Sequence, residues 1–349
     1  MDNNHSISDL VEKLDKQDMC GFTRNFVNDL ESSFATEIEI DQDLDWSGVL
    51  CLGMGGSGAG GDFLKTISDH SGGIPFVVWK DYGLPSWWGS DWLVIATSYS
   101  GNTEETLDGV TSALEQGGTV IGITSGGKLQ EILSDNNNNN SLCLSIPSGQ
   151  MPRSAFGHLF GTQLSICWAL GIFQKPSKED ITDMLARLRK LSSDADAIGG
   201  NGLTLSMAKS MLGKQIGIIS PTLLSSAANR FASQLNENSE RFARQVNLPE
   251  MNHNEIVAWG SADRNSNSDI YFSWGGLQPR VNARLNWMLE EMSTESSWII
   301  NCEGQSLLEC LLYAAHITDW VSIILALIED KDPSEMNPII SLKKHLSSI

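Results

Sequence analysis

The sequence predicts an α/β protein made of two similar subdomains, each a parallel β-sheet flanked by helices in an αβα sandwich. Short apolar runs rich in Val, Ile and Leu recur along the chain with little alternation, as expected of strands that are buried on both faces. Helical patterns separate these runs, which is the rhythm of βαβ units. Because the rhythm returns in the second half of the 349 residues, we expect two subdomains.

The elements of the first half follow in chain order. Residues 7–35 have the apolar spacing of one or two amphipathic helices, and further helices are expected over 103–117 and 154–173. The polar, asparagine-rich stretch 134–142 is interpreted as a solvated loop. The predicted strands are GVLCLGM (48–54), FVVW (76–79), WLVIATS (92–98), TVIGITS (119–125) and LCLSI (142–146).

The second half repeats the pattern after a linker. Ser177 and Asp180 have the spacing of a capping box at the start of a helix. Strands are predicted at 215–220, 268–273 and 296–302, with helices near 222–240, 278–293 and 305–329. The predicted organisation is an N-terminal helical segment (1–44), a first subdomain (45–173) and a second subdomain with a C-terminal helix (174–349).

Charge and composition restrict the partners. A net charge of −20 disfavours nucleic acid and anionic membrane surfaces, although a few local donors can still bind a small phosphorylated ligand. The first residues lack a signal pattern, and no apolar run approaches the roughly 20 residues that span a bilayer. The six cysteines are scattered without a CxxC pair, as in a reducing compartment. We therefore expect a cytoplasmic protein without membrane or nucleic-acid partners.

The stretch GMGGSGAGG (53–61) lies directly between a predicted strand and a helix. Its glycines permit close approach of the backbone to a ligand, and a helix N-terminus offers unpaired N–H groups with partial positive charge. Together they predict an anion site that needs few cationic side chains. The spacing from Gly53 to Gly58 also fits a dinucleotide fingerprint, but the acidic residue that this motif requires does not cleanly end the next strand.

A second turn, SYSGNTEET (98–106), follows the third predicted strand. Its hydroxyls at Ser98, Ser100 and Thr103 can donate to phosphate oxygens, whereas the alternative reading makes them helix caps only. Asn102 and Glu105 have the pattern of a capping box. Because two neighbouring strands end in small donors, we expect a pocket at the carboxyl edge of the parallel sheet.

Both turns resemble those of a sugar isomerase (SIS) domain, a phosphosugar-binding module. Four later stretches narrow the resemblance to the bifunctional phosphoglucose/phosphomannose isomerase family, from about residue 45 to the end: MPRSAFG (151–157), QLNENSE (234–240), PEMNHNEIVAW (249–259) and DPSEMNPIISLKKHL (332–346). The resemblance implies two SIS-like subdomains. It also implies interconversion of glucose 6-phosphate with fructose 6-phosphate, and mannose 6-phosphate is expected as a second aldose substrate. This aldose–ketose chemistry passes through a cis-enediolate and requires neither a metal nor a cofactor.

The resemblance also implies roles for individual residues. Glu237 would move the proton between C1 and C2, His253 with Lys343 would open the sugar ring, and Arg153 would stabilise the enediolate oxygens. The residues that would contact the sugar phosphate are Gly55, Gly56, Ser57, Ser98, Ser100 and Thr103. A homodimer with its active site at the subunit interface, where the partner supplies the histidine, is implied as well.

Residue types alone leave alternatives for these positions. Glu240 lies three residues after Glu237 on the same predicted helical face and competes as the base, and Lys344 competes with Lys343. Glu240 and Arg241 also stand where the family often has a lysine, and the asparagines at 136–140 are an insertion. The other histidines, His5, His70, His158, His316 and His345, have the context of surface or helical residues.

Different functions remain open as alternatives. An isomerase restricted to one sugar, or to another phosphosugar, would share every feature above. A non-catalytic phosphosugar sensor would typically add a DNA-binding helix-turn-helix and a basic surface, and residues 1–45 are too acidic and unpatterned for that. A nicotinamide-dependent oxidoreductase depends only on the weak glycine fingerprint.

Overall fold

The computed structural model describes residues 6–40, 45–134, 140–261 and 264–348. Nine strands run through these residues: β1 (Gly48–Leu52), β2 (Phe76–Trp79), β3 (Trp92–Thr97), β4 (Val120–Thr124), β5 (Ser141–Ser145), β6 (Gln215–Pro221), β7 (Ala243–Leu248), β8 (Asn267–Ser273) and β9 (Trp298–Asn301). Residues 135–139, within the predicted loop, lie outside the described residues.

The helices of the described residues follow the same chain order. They are α1 (Ile7–Leu14), α2 (Met19–Ala35), α3 (Gly55–Ser71), α4 (Glu104–Glu115), α5 (Gly127–Leu133), α6 (Phe156–Ala169), α7 (Lys178–Ala195), α8 (Leu203–Ser210), α9 (Ser225–Asn238), α10 (Ile256–Ser261), α11 (Pro279–Met292), α12 (Leu307–Ile328) and α13 (Asn337–Leu346). The predicted capping box before α7 is confirmed, because the Asp180 N–H donates to Ser177 Oγ at 3.1 Å and the Ser177 N–H donates to Asp180 Oδ2 at 3.3 Å.

The chain divides into two compact units, each with one sheet. The N-sheet unit comprises Asn25–Arg189 and Gly304–Leu311, and the C-sheet unit comprises Met1–Arg24, Lys190–Glu303 and Leu312–Ile349. Both sheets are entirely parallel. The predicted α/β class with two parallel sheets is therefore confirmed, whereas the domain boundaries predicted at residues 44 and 173 stay a prediction.

The N-sheet has the strand order β2-β1-β3-β4-β5. Its central register pairs Leu50 with Val94 and Val94 with Val120, and all three side chains are fully buried. Helices α3 and α6 contribute an aromatic cluster in which Phe63 contacts Phe156 at a ring-centroid distance of 5.0 Å. The strand order reverses between β1 and β3, so a crevice is expected at the carboxyl ends of these two strands.

The C-sheet has the order β7-β6-β8-β9. Strand β7 was not predicted, because its sequence ARQVNL is mostly polar and only Val246 and Leu248 are buried. An edge strand pairs with one neighbour and keeps its outer side in water, so polar residues are tolerated along it. The predicted helices of this half are confirmed with slightly shorter bounds.

Helix α12 is the one helix in the described residues that is long and apolar enough to cross a membrane by length and composition. Its most apolar window is 89% buried within the protein, which is how the core helix of a folded domain behaves. Asp319 of this helix accepts hydrogen bonds from Arg230 Nη2 at 2.7 Å and Gln234 Nε2 at 2.9 Å, both from α9. The buried ion pair therefore joins α12 to α9 within the C-sheet unit.

Candidate functional site

The first predicted phosphate turn lies at the reversal of strand order in the N-sheet. Helix α3 begins at Gly55, three residues after β1 ends, and the N–H groups of Gly55 and Gly56 precede the first intrahelical hydrogen bonds. Gly55 has φ +53°, and open space surrounds the position that a side chain would take. The start of α3 therefore presents main-chain donors, which is the arrangement that helix N-termini offer to phosphate groups.

Gly56 brings Arg153 against this turn. A Cβ atom added at Gly56 would lie 2.8 Å from the Arg153 Cα and 3.0 Å from its backbone nitrogen, so only glycine permits the contact without a shift. Arg153 is 1% exposed and belongs to the turn before α6, in which the Met151 carbonyl accepts from the N–H groups of Ser154 and Ala155. The N-sheet unit thus places the predicted guanidinium residue beside the predicted phosphate turn.

The second turn is joined to the first by a hydrogen bond. The Tyr99 backbone N–H donates to Ser57 Oγ at 3.1 Å. Ser98 Oγ and Thr103 Oγ1 lie 2.9 Å apart, and Ser98 is fully buried. Ser100 is exposed, and its Oγ accepts from the Asn102 N–H at 3.3 Å. The predicted phosphate contacts are therefore grouped at one sheet edge.

The capping box predicted for Asn102 and Glu105 is wrong. Helix α4 has Thr103 as its N-cap, without a side-chain capping bond. Asn102 instead accepts from the Lys128 N–H at 3.2 Å and donates to the Ser100 carbonyl at 2.9 Å. The carboxamide therefore connects the second turn to α5 rather than starting α4.

Tyr99 joins the turns around the crevice, and its role was missed in the sequence. Its carbonyl accepts from the backbone N–H and the Oγ of Ser125, after β4. Its hydroxyl donates to the Pro147 carbonyl at 3.2 Å and accepts from the Gln150 N–H at 2.8 Å. Burial raises the pKa of the phenol, which keeps the hydroxyl protonated as a donor. An aromatic residue between two serines in a turn was the signal available.

Glu237 lies in the C-sheet unit, in the last turn of α9, and is half-buried. The neighbouring Asn238 donates to Ser322 Oγ at 2.8 Å, and Asn236 Oδ1 accepts from the Ala243 N–H at 3.3 Å. Since Ala243 is the first residue of β7, Glu237 is positioned near the amino end of that strand.

Glu240 was expected on the same helical face as Glu237, and that expectation is wrong. Helix α9 ends at Asn238, and Glu240 adopts a left-handed conformation with φ +52°. Its carboxylate lies 3.3 Å from the ammonium group of Lys331. The two carboxylates therefore leave the backbone at different angles, and Glu240 forms an ion pair of its own.

His253 ends a 3-10 turn, Glu250–His253, that follows β7 at its carboxyl end, and it is exposed. Strand β7 has six residues and so spans about 20 Å. Because Glu237 lies near the amino end of the same strand, a single chain holds these two predicted catalytic residues at opposite edges of the C-sheet. Lys343 and Lys344 both lie on α13, whose residues are exposed throughout, so their positions favour neither.

Two of the other histidines lie on helices, in agreement with the prediction, and are buried there. His158 of α6 lies 3.2 Å from Asp29, and His316 of α12 is fully buried, which lowers its pKa to about 3. His70 and His345 are exposed, and His5 lies outside the described residues. Among the described residues, no group of three or more His, Cys, Asp or Glu side chains has the arrangement of a metal site.

Comparisons with known proteins agree with the fold and the turns. Residues 44–172 match the SIS domain family, and residues 202–346 match the family described as bacterial phospho-glucose isomerase C-terminal SIS domain. A bifunctional phosphoglucose/phosphomannose isomerase of Aquifex aeolicus is 31% identical over 317 residues, which cover 88% of this chain and 93% of the relative. One of Thermoplasma acidophilum is 32% identical over 86% of this chain and 90% of its own.

Solved structures add support for the fold alone. A hypothetical protein of Thermus thermophilus superposes with a TM-score of 0.73 at 15% identity, covering 98% of this chain and 92% of its own. The C-terminal domain of a glucosamine-fructose-6-phosphate aminotransferase from Francisella tularensis gives a TM-score of 0.67 at 14% identity, covering 92% of this chain and 98% of its own.

Proposed function

Because the chain belongs to the bifunctional phosphoglucose/phosphomannose isomerase family and is a sugar-phosphate isomerase, we propose that it interconverts fructose 6-phosphate with both glucose 6-phosphate and mannose 6-phosphate. The observation that carries this proposal is the contact of Gly56 with Arg153. It places the backbone of the buried Arg153 against a helix N-terminus, where a phosphorylated ligand is expected. Such a site binds a dianion locally although the chain is strongly acidic overall.

The reaction requires a ring-opened sugar and a proton shift between C1 and C2. In the proposal, His253 and Lys343 exchange protons with the ring oxygen and the anomeric hydroxyl. Glu237 then removes the proton from one carbon and returns it to the other through a cis-enediolate. Arg153 stabilises the enediolate oxygens, while Gly55, Gly56, Ser57, Ser98, Ser100 and Thr103 hold the phosphate. No metal and no cofactor enters these steps.

We further propose a cytoplasmic homodimer in which the partner subunit supplies the histidine. The separation of Glu237 and His253 along β7 supports this, because one chain does not hold both against one substrate. Exposed apolar side chains of the C-sheet unit also support a subunit contact. Phe242 is 97% exposed and Val257 is 73% exposed, and association would remove both from water.

The test is a direct assay. Purified protein is mixed with fructose 6-phosphate without metal or nucleotide, and glucose 6-phosphate and mannose 6-phosphate are measured separately. Formation of both, reduced about a thousandfold in Glu237→Gln, is the expected result, since a positioned general base contributes about that factor. The Glu240→Gln variant serves as the matched control and should retain activity.

Other outcomes select the alternatives. One aldose alone would show an isomerase restricted to a single epimer. Phosphosugar binding without turnover would indicate a sensor and would remove every catalytic assignment. Glucosamine 6-phosphate is worth including as a substrate, because a D-glucosamine-6-phosphate 4-epimerase of Sulfolobus acidocaldarius is 33% identical over 61% of this chain and 64% of its own.

A further inference from the structure

A buried carboxylate on α2 contacts both sides of the segment that carries Arg153. Asp29 is 2% exposed, and its Oδ2 accepts from Gln150 Nε2 at 3.1 Å. Its Oδ1 accepts from Asn25 Nδ2 at 2.6 Å and lies 3.2 Å from His158 Nε2. Gln150 lies three residues before Arg153 and His158 five residues after it, so one side chain contacts both ends of the segment 150–158.

The same segment has a second attachment at its beginning. The Gln150 backbone N–H donates to the Tyr99 hydroxyl at 2.8 Å, and the Tyr99 N–H donates to Ser57 Oγ at 3.1 Å. Gln150 is therefore attached to α2 by its side chain and to the phosphate turns by its main chain. Between Gln150 and the start of α6, the backbone of Arg153 lies directly against Gly56 of the first phosphate turn.

A buried carboxylate has a high desolvation cost if its role is only to pack α2 on α6. Burying a charge costs several kcal/mol unless its oxygens are hydrogen-bonded, and apolar residues of similar size usually pack as well. What a carboxylate adds is direction, since two oxygens fix two donors at separate points. Here Gln150, which donates to one oxygen, and His158, which lies 3.2 Å from the other, flank Arg153, and a role in helix packing alone does not require that.

We infer that Asp29 is a positioning residue that holds the segment 150–158, and through it Arg153, in register with the phosphate turns. The inference depends on the proposed function, in which Arg153 faces the enediolate. Asp29 acts through Gln150 and His158 and does not touch the substrate. Loss of Asp29 should therefore weaken the stabilisation of the enediolate more than the binding of the phosphate group.

The first variant to test is Gln150→Leu, which has similar volume and removes only the side-chain attachment. Turnover of fructose 6-phosphate should fall about tenfold while KM stays within about twofold, because a small displacement of a positioned group costs rate. Asp29→Leu should lower kcat at least as much. The double variant should be no worse than Asp29→Leu, because both substitutions remove one constraint.

Ser165→Ala is the matched control. Ser165 Oγ donates to the Ser33 carbonyl at 3.0 Å, so it joins the same helices α2 and α6 while leaving the segment alone. Its kcat and KM should both stay within about twofold, because the substitution leaves the segment 150–158 and its attachments in place. An equal fall of kcat in Ser165→Ala, or an unchanged kcat in Gln150→Leu, would overturn the inference.

A binding measurement separates this inference from the proposed function. The probes are inorganic phosphate and a five-carbon aldonate phosphate, whose planar carboxylate stands for the enediolate oxygens. In Gln150→Leu, calorimetry should show about tenfold weaker binding of the aldonate phosphate and less than twofold weaker binding of inorganic phosphate. An inactive wild-type protein with this pattern would refute only the proposed function. Equal weakening of both probes, or binding of neither by the wild type, would overturn the positioning role.

Discussion

The two sheets reverse strand order in the same way, yet their crevices differ. In the N-sheet, α3 begins directly after β1 with Gly55 and Gly56, and no side chain caps it. In the C-sheet, Pro221 ends β6, a 3-10 turn follows, and the fully buried Leu224 precedes α9. Ser220 Oγ is hydrogen-bonded to Asn247 Oδ1 at 3.2 Å. The difference shows that both parallel sheets provide a crevice, while glycine and main-chain donors distinguish the crevice at which we propose the phosphate site.

The largest effect is expected in a test of the C-sheet unit. It asks whether Glu237 and His253 of one active site come from two different subunits. Glu237→Gln and His253→Ala homodimers should each be nearly inactive. When they are dissociated together and reassociated, about a quarter of wild-type activity should return, since half of the dimers are hybrids with one complete site. Recovery is measured as glucose 6-phosphate formation. No recovery would place both residues of a site in one chain.

A second test compares one glycine from each unit. Gly56→Ala forces a Cβ against the Arg153 backbone, so the main-chain donors at the start of α3 must shift; KM for fructose 6-phosphate should rise about tenfold or more, and inorganic phosphate should bind correspondingly weaker. Gly275→Ala in the C-sheet unit is the control, because open space surrounds the added Cβ there. Equal effects of the two substitutions would contradict the assignment of the first turn.

A smaller effect should separate the two lysines of α13. Lys343→Ala should lower kcat about tenfold, because it removes one acid–base group from ring opening. Lys344→Ala should stay close to wild type, since the adjacent residue of a helix projects about 100° away. The kcat of both variants is measured by steady-state kinetics with fructose 6-phosphate. The reverse ranking would move the role to Lys344.

The smallest effect concerns stability alone and involves a buried acid in the C-sheet. Burial raises the pKa of Asp269 to about 6, although Arg264 and Lys214 oppose the shift. The folded state therefore binds more protons between pH 4 and 6, and its stability falls as pH rises through that window. Asp269→Asn should be more stable than wild type by about 1–3 kcal/mol at pH 8 and nearly equal to it at pH 4, by denaturant titration.

Asp319→Asn is the matched control for this comparison. Asp319 is buried in the same unit but accepts from Arg230 and Gln234, so its replacement should destabilise the protein at pH 8. A stabilising Asp319→Asn, or an Asp269→Asn without pH dependence, would contradict the reasoning from burial and pairing.

The sequence allowed the prediction of every strand except β7, for a physical reason. Buried central strands are continuous apolar runs, whereas β7 is a polar edge strand with two buried residues. The position of the two turns at the strand ends was predictable because glycine and hydroxyl spacing is local, and their phosphate contacts stay a prediction. Tyr99 and Asp29 were not, because their partners Gln150 and His158 lie 51 and 129 positions away and only folding brings them together. Glu240 was misplaced because the end of α9 depends on one left-handed residue.

The first turn also has an evolutionary consequence. Its donors are main-chain N–H groups, which every residue except proline retains, so most point substitutions cannot delete them and can only block access by size. The part of the proposed phosphate recognition that rests on these N–H groups therefore does not depend on side-chain chemistry. Substitutions around the carbon chain of the proposed substrate can therefore change which sugar is accepted while these main-chain donors stay in place.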